Sequence, residues 1–327
     1  MTSIAKTLLL LPLICSVVAA ECTTPAQRRA WHTFTNDEKL AYINAELCLM
    51  ELPAKTDLNG PVTRFDDLQA VHVYGAYMVH FVGAFLPFHR LLMYAHETAL
   101  REECGYEGYQ PYWYEQKDAG QFSSSDVLDP VYGFGGDGSG DDNCITDGPF
   151  ANYTNRIGPG YEVRDHCIDR QVNDGISGSS AQENIDNCIS QADWISAWNC
   201  IEGLPHLGGH GGVGGEMLNP VSSPGDPTFY LHHTFLDKVW WDWQAKDLPA
   251  RFTEMGGNNV LDLSNGFPGM LPPTPPEFPP ATHDGDPGNT TTLDHVLNMY
   301  GNMENKTIAD VMNIQGDFLC YEYVEPE

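Results

Sequence analysis

The chain has 327 residues, 42% of them hydrophobic, and carries a formal net charge of −29. That length gives ample core for one large domain or two modest ones. The charge excludes nucleic acid and anionic membrane surfaces as partners, because both require a basic footprint.

At the N-terminus Lys6 precedes an apolar run over 8–18, and Ala19-Ala20 offers small residues for cleavage. This is the pattern of a secretory signal peptide, too short to span a bilayer. Residues 1–20 are therefore expected to be removed, leaving a soluble extracellular protein whose single domain runs over 21–327. Eight cysteines remain after Cys15 leaves: Cys22, Cys48, Cys104, Cys144, Cys167, Cys188, Cys200 and Cys320. An even count in an exported chain reads as up to four disulfides, with 105 pairings possible. No Cys-x-x-Cys spacing occurs, which argues against a thiolate metal site. Glycosylation sequons at Asn152, Asn289 and Asn305 fit the same compartment.

Four segments have helical character. Residues 28–50 are weakly amphipathic and stop before Pro53; 66–82 opens on Asp66-Asp67, suited to a first turn. Residues 87–103 start with a proline in the first turn, and 226–245 opens the same way on Asp226-Pro227 and is rich in Trp and Phe. Between them, 120–180 is crowded with Gly, Ser, Asp and Asn and reads as a long loop that Cys144, Cys167 and Cys188 are placed to staple. Residues 265–290 are proline-rich and read as an extended strap.

The histidines fall into two groups of three. His72, His80 and His89 lie on or beside two helical segments; His206 and His210 are four apart, and His233 sits in the aromatic helix. Neutral imidazole is the commonest metal ligand, and all-imidazole sets lean toward copper rather than magnesium, calcium or manganese. The glycines at 208, 209, 211 and 212 make a regular helix around His206 and His210 doubtful. Asp237, four residues after His233, is placed to orient that imidazole or a neighbour. Spacing alone stops at a metalloprotein.

The text around these histidines carries more. His80-Phe-Val-Gly-Ala-Phe-Leu-Pro-Phe-His89-Arg90 and Asp226-Pro-Thr-Phe-Tyr-Leu-His232-His233-Thr-Phe-Leu-Asp237 resemble the two copper signatures of the tyrosinase and catechol oxidase (polyphenol oxidase) family. Pro111-Tyr112-Trp113, Cys144-Ile-Thr-Asp-Gly-Pro-Phe150 and Tyr321-Glu-Tyr323 look like further landmarks of that family. The resemblance implies a mainly α fold, a four-helix bundle housing a dicopper centre with long loops and few short strands. It makes His72, His80 and His89 the ligands of one copper ion, and His206, His210 and His233 those of the second. His232 would line the mouth of the site, Phe229 and Asp237 would stand behind the ligands, and His96 would be packing. His32, His166, His283 and His295 match nothing and are expected at the surface.

The implied chemistry is oxidation of ortho-diphenols to ortho-quinones, with dioxygen reduced to water and the copper pair carrying the electrons. Glu202, four residues before His206, matches a glutamate that holds water near the metals in relatives and can accept a phenolic proton. Efficient monophenol hydroxylation goes in relatives with an asparagine directly after the first ligand of the second copper. Leu207 stands there, and Gly211 after His210 leaves room for substrate without adding a base. Diphenol oxidation with weaker monophenol hydroxylation is thus expected. No cysteine lies where some relatives bond one to a histidine, since Met78 occupies that place. Only four residues follow Tyr323, so no C-terminal plug domain is expected. A full tyrosinase, a haemocyanin-like oxygen carrier and a zinc hydrolase remain as alternatives; the last lacks any His-Glu-x-x-His pattern.

Overall fold

The computed structural model describes residues 22–261, 274–276, 278 and 283–326. The expected signal peptide and most of the proline-rich strap lie outside these residues.

The chain enters through a short strand, Ala26–Arg28, that pairs in parallel with Tyr321–Tyr323, so the two ends of the domain meet. The disulfide Cys22–Cys320 closes the same junction. The helix expected from residue 28 begins only at Asn36 (α1, Asn36–Glu51). Its start is fixed by a capping box in which Thr35 and Glu38 satisfy each other's exposed amides. Upstream, Arg28 is fully buried, donating to Glu97 at 3.0 Å and lying 3.6 Å over the Tyr321 ring. A helix through residue 28 would have lost that seat.

A second capping box, Thr63 with Asp66, starts α2 (Arg64–Val79), which is buried along nearly its whole length. It stops three residues earlier than its hydrophobic pattern, because His80 turns extended and Phe81 takes a positive φ of 55°. α3 (Phe85–Cys104) follows at once and ends on Gly105 in the left-handed region, φ 69°. Cys48–Cys104 ties the C-terminal ends of α1 and α3.

Residues 120–180 hold only short strands and single turns, as their composition implies. Thr154–Ile157 and Val163–Cys167 form a small hairpin, and Cys144–Cys167 staples it to the preceding loop. A buried ion pair ties this region together beside its apolar side chains. Buried Arg170 grips Asp226 with two bonds, 2.7 and 2.9 Å, and donates to the carbonyls of Phe134, Gly135 and Gly136. One guanidinium thereby fixes both the loop and the residue that starts the last long helix.

Three further helices precede that one: α4 (Gln182–Ile189), α5 (Trp194–Gly203) and α6 (Pro205–Val213). Cys188–Cys200 links α4 to α5. The last, α7 (Thr228–Gln244), packs on α3 and α6, and α3 also lies against α1 and α2. The bundle of α2, α3, α6 and α7, with long loops and few short strands around it, carries both histidine groups.

α6 is the helix its sequence disguises. Glycine lowers helix propensity by about 1 kcal/mol per residue, yet four of its nine residues are glycine. A Cβ at Gly208 would lie 2.2 Å from Ser180 Oγ, at Gly209 2.1 Å from His232 Nδ1, at Gly211 2.6 Å from Ile176, and at Gly212 2.7 Å from Phe122. Close approach of the surrounding chain, not turn formation, is what requires these glycines.

Candidate metal centre

His72 sits inside α2, His80 one residue beyond its end, and His89 in the first turns of α3. Their ring centres are 4.8 to 5.6 Å apart, and all three are buried. Each Nδ1 meets a main-chain carbonyl: Val221 at 2.8 Å for His72, Ala76 at 3.1 Å for His80, Phe85 at 2.8 Å for His89. A carbonyl can only accept, so in the neutral ring Nδ1 carries the proton and Nε2 keeps its lone pair.

The second group is arranged likewise from α6 and α7. His206 Nδ1 donates to Glu202 O at 3.2 Å, and His210 Nδ1 to Met217 O. His233 Nε2 lies 3.1 Å from His210 Nε2. His233 has no carbonyl behind it; its ring stacks on His89 (4.0 Å, 11°) and against Phe229 at 4.2 Å. The stack also joins the two groups, and His80 reaches His206 at 6.2 Å. Six imidazoles thus converge, with the donor atoms of each trio within 4.8 Å of one another.

These residues fit metal ions on their own terms. The Nε2 atoms of His72, His89, His206 and His232 are buried with no hydrogen-bond partner. A lone buried nitrogen of this kind is costly unless something donates to it or binds it. Burial, reinforced by neighbouring imidazoles, holds His72, His89, His206, His210 and His233 well below the usual histidine range, and burial pulls His80 down to about 4. The rings are therefore neutral near pH 7, which is the ligating form. Six imidazoles without a carboxylate among them suit copper.

A cavity of about 210 Å³ opens onto His80, His206 and His210 and is lined mainly by Phe81, Leu207, Leu218 and Pro220. Glu202 lines it too: Oε1 accepts from the Phe81 amide and Oε2 from the Trp198 indole, both at 2.7 Å. Burial outweighs these two donors and pushes its carboxyl up to about 8. Leu207 is 44% exposed and lines the cavity.

Four expectations are corrected. His232 is not at the mouth: it is 0% exposed, and its Nδ1 faces Glu115 Oε1 at 2.5 Å. Gly211 does not open onto the cavity; the space it leaves is filled by Ile176. Asp237 does not touch His233, because other groups buried beside α7 claim its carboxylate. It accepts instead from Arg90 Nε and Tyr321 OH, both at 2.5 Å, and from Tyr323 OH. Of the unmatched histidines, His295 is only 3% exposed and pairs with Asp286 at 2.6 Å, and His32 and His166 are half-buried; His283 is exposed. His96 is packing as expected, stacked on Tyr230 at 3.6 Å and bonded to Glu46 and Gln110. Glu115 was missed altogether; its one sequence cue is its place two residues after Pro111-Tyr112-Trp113.

Comparison with known proteins agrees with this geometry. Residues 62–246 match the common central domain of tyrosinase. The chain is 32% identical to tyrosinase ustQ of Aspergillus flavus, over 92% of this chain and 80% of that one. It is 31% identical to the tyrosinase-like protein phomQ1' of Diaporthe leptostromiformis, over 93% and 81%. Among solved structures, a polyphenol oxidase from Thermothelomyces thermophila superimposes with a TM-score of 0.79 at 28% identity, covering 92% of this chain and 89% of that one. With these relatives and two buried histidine groups suited to a copper pair, the chain belongs to the tyrosinase family of copper-dependent phenol oxidases.

Proposed function

We propose that the chain is a secreted catechol oxidase that converts ortho-diphenols to ortho-quinones and hydroxylates monophenols more weakly. His72, His80 and His89 hold one copper ion, and His206, His210 and His233 the other. When bound, the pair supplies the two-electron chemistry, so that two diphenols are oxidised as one dioxygen becomes two waters. The protein's own part is to keep six imidazoles neutral and aimed, and to admit a small aromatic substrate through an apolar mouth. Burial raises the Glu202 carboxyl to about 8, so it accepts the phenolic proton in its ionised form, which predominates above that pH.

The observation that carries the preference for diphenols is Leu207. It lines the cavity directly after His206, where the resemblance implies an asparagine in efficient monophenol hydroxylases. Access also favours an enzyme over an oxygen carrier, since the cavity reaches three of the imidazoles. Secretion is supported by four disulfides and by exposed Asn152, Asn289 and Asn305. Among the described residues no helix is long and apolar enough to cross a membrane. The test is to load the protein with copper and compare its rates on 4-methylcatechol and tyrosol. The diphenol is expected to be much faster; equal rates or a tyrosol preference would make the chain a full tyrosinase.

A further inference from the structure

Three of the six imidazoles are held by their own stretch of chain, each Nδ1 donating to the carbonyl four residues back: His80 to Ala76, His89 to Phe85 and His206 to Glu202. His72 and His210 differ. Both donate to a segment outside their own helices, His72 to Val221 O at 2.8 Å and His210 to Met217 O. These carbonyls lie in the loop between α6 and α7, and one serves each histidine group. The same loop supplies Leu218, Pro220 and Ser223 to the wall of the cavity.

Resting on the dicopper reading above, we propose that residues 217–223 form one clamp shared by both metal positions and the substrate wall, with Gln69 and Asn219 as its positioning residues. Gln69 stands on α2 three residues before His72. Its Nε2 donates to Ser222 O and to Ile157 O, each at 2.9 Å, so one amide pins the loop to α2 and to the small hairpin. α2 thereby holds two consecutive loop carbonyls, Val221 through His72 and Ser222 through Gln69. Asn219 Oδ1 accepts from the amides of Val221 and Ser222 at 3.0 and 3.2 Å. The Ser222 N–H and the Val221 carbonyl share one rigid peptide plane, so Asn219 sets the direction of the acceptor that His72 uses. Packing alone does not account for Gln69. It is fully buried, yet its Oε1 has no hydrogen-bond partner, a cost that an apolar side chain of the same shape would avoid. The loop also approaches the amide closely: a Cβ at Gly225 would stand 2.6 Å from Gln69 Nε2. Neither Gln69 nor Asn219 lines the cavity, and both act through the carbonyls they fix.

The test reads the imidazole Nδ1–H signals of the full chain labelled with ¹⁵N-histidine, first without metal. Gln69→Met removes the two donated bonds at nearly constant volume. It is expected to move the signals of His72 and His210 and leave those of His80, His89 and His206 in place. Asn219→Ala should move the His72 signal, and Asn219→Asp, which keeps the acceptor, should restore it; this pair decides the matter if Gln69→Met does not fold. Leu319→Ala, a buried change beside the chain-end disulfide, is the control and should lower the thermal midpoint without moving either signal. With copper(I), competition against a chromophoric chelator should show both positions weakened by about 10-fold in Gln69→Met, the low end for loss of a partner behind a ligand. The KM for 4-methylcatechol should rise as well, through the Leu218 and Pro220 wall. Movement of every imidazole signal or of none, or weakening at one position only, overturns the clamp alone. A wild-type chain that binds no metal pair overturns the dicopper reading, and the clamp's purpose with it.

Discussion

The two histidine groups do the same job by different means. In the first, every ring is held by a main-chain carbonyl, on helices whose caps and hydrophobic patterns are ordinary. In the second, His206 and His210 are held by main-chain carbonyls but His233 only by aromatic stacking, and the supporting helix exists only because four glycines let neighbours close in. Backbone orientation survives most side-chain changes. Orientation by side chains does not, so the second group is the one that substitutions should loosen selectively.

The largest effect is expected where the two groups touch. His89→Ala removes an imidazole from the first trio and the ring on which His233 stacks. Elemental analysis should show copper lost from both positions and 4-methylcatechol oxidation abolished; retention of two coppers would separate the groups after all. Next is the strut between the helices that carry them. Asp237→Ala leaves Arg90 on α3 and Arg28 without their shared carboxylate, along with two tyrosine hydroxyls. Breaking a buried pair of this kind costs about 3–5 kcal/mol, read as a lowered thermal midpoint in both metal-free and loaded protein.

Gly212→Ala tests the asymmetry directly. Its Cβ would press on Phe122 and Ser177, both under 3 Å away, for about 1–3 kcal/mol of overpacking. Copper should weaken at the second group while the first keeps its affinity; equal weakening of both would mean α6 is no more fragile than α2. Smallest in stability is Leu207→Asn, an exposed change expected to stay within about 0.5 kcal/mol. It should nevertheless raise the ratio of tyrosol to 4-methylcatechol rates, and an unchanged ratio would remove Leu207 from the account of selectivity.

The first group was almost entirely legible from the chain, because cap residues, apolar period and signature text all agree over residues 63–104. The second was legible only as letters. Its glycines argued against a helix because local propensity counts what a residue does alone, and the gain from close packing appears only once Ser180, Ile176, Phe122 and His232 are in place. Asp237 shows the same limit. A spacing of four suggested contact with His233, but Arg90 on α3, Arg28 from the first strand and Tyr321 and Tyr323 from the last take the carboxylate instead.

By itself the sequence determined the family, the six histidines, the bundle helices around three of the histidine positions and the loop character of 120–180. These rest on short-range pattern and on text, which a linear chain displays directly. The tertiary structure alone decided which of 105 disulfide pairings forms, that α6 is a helix, and that Glu115 stands behind His232 across 117 residues of chain. Each of those depends on atoms far apart in sequence meeting in a close-packed interior, and no local pattern encodes that meeting.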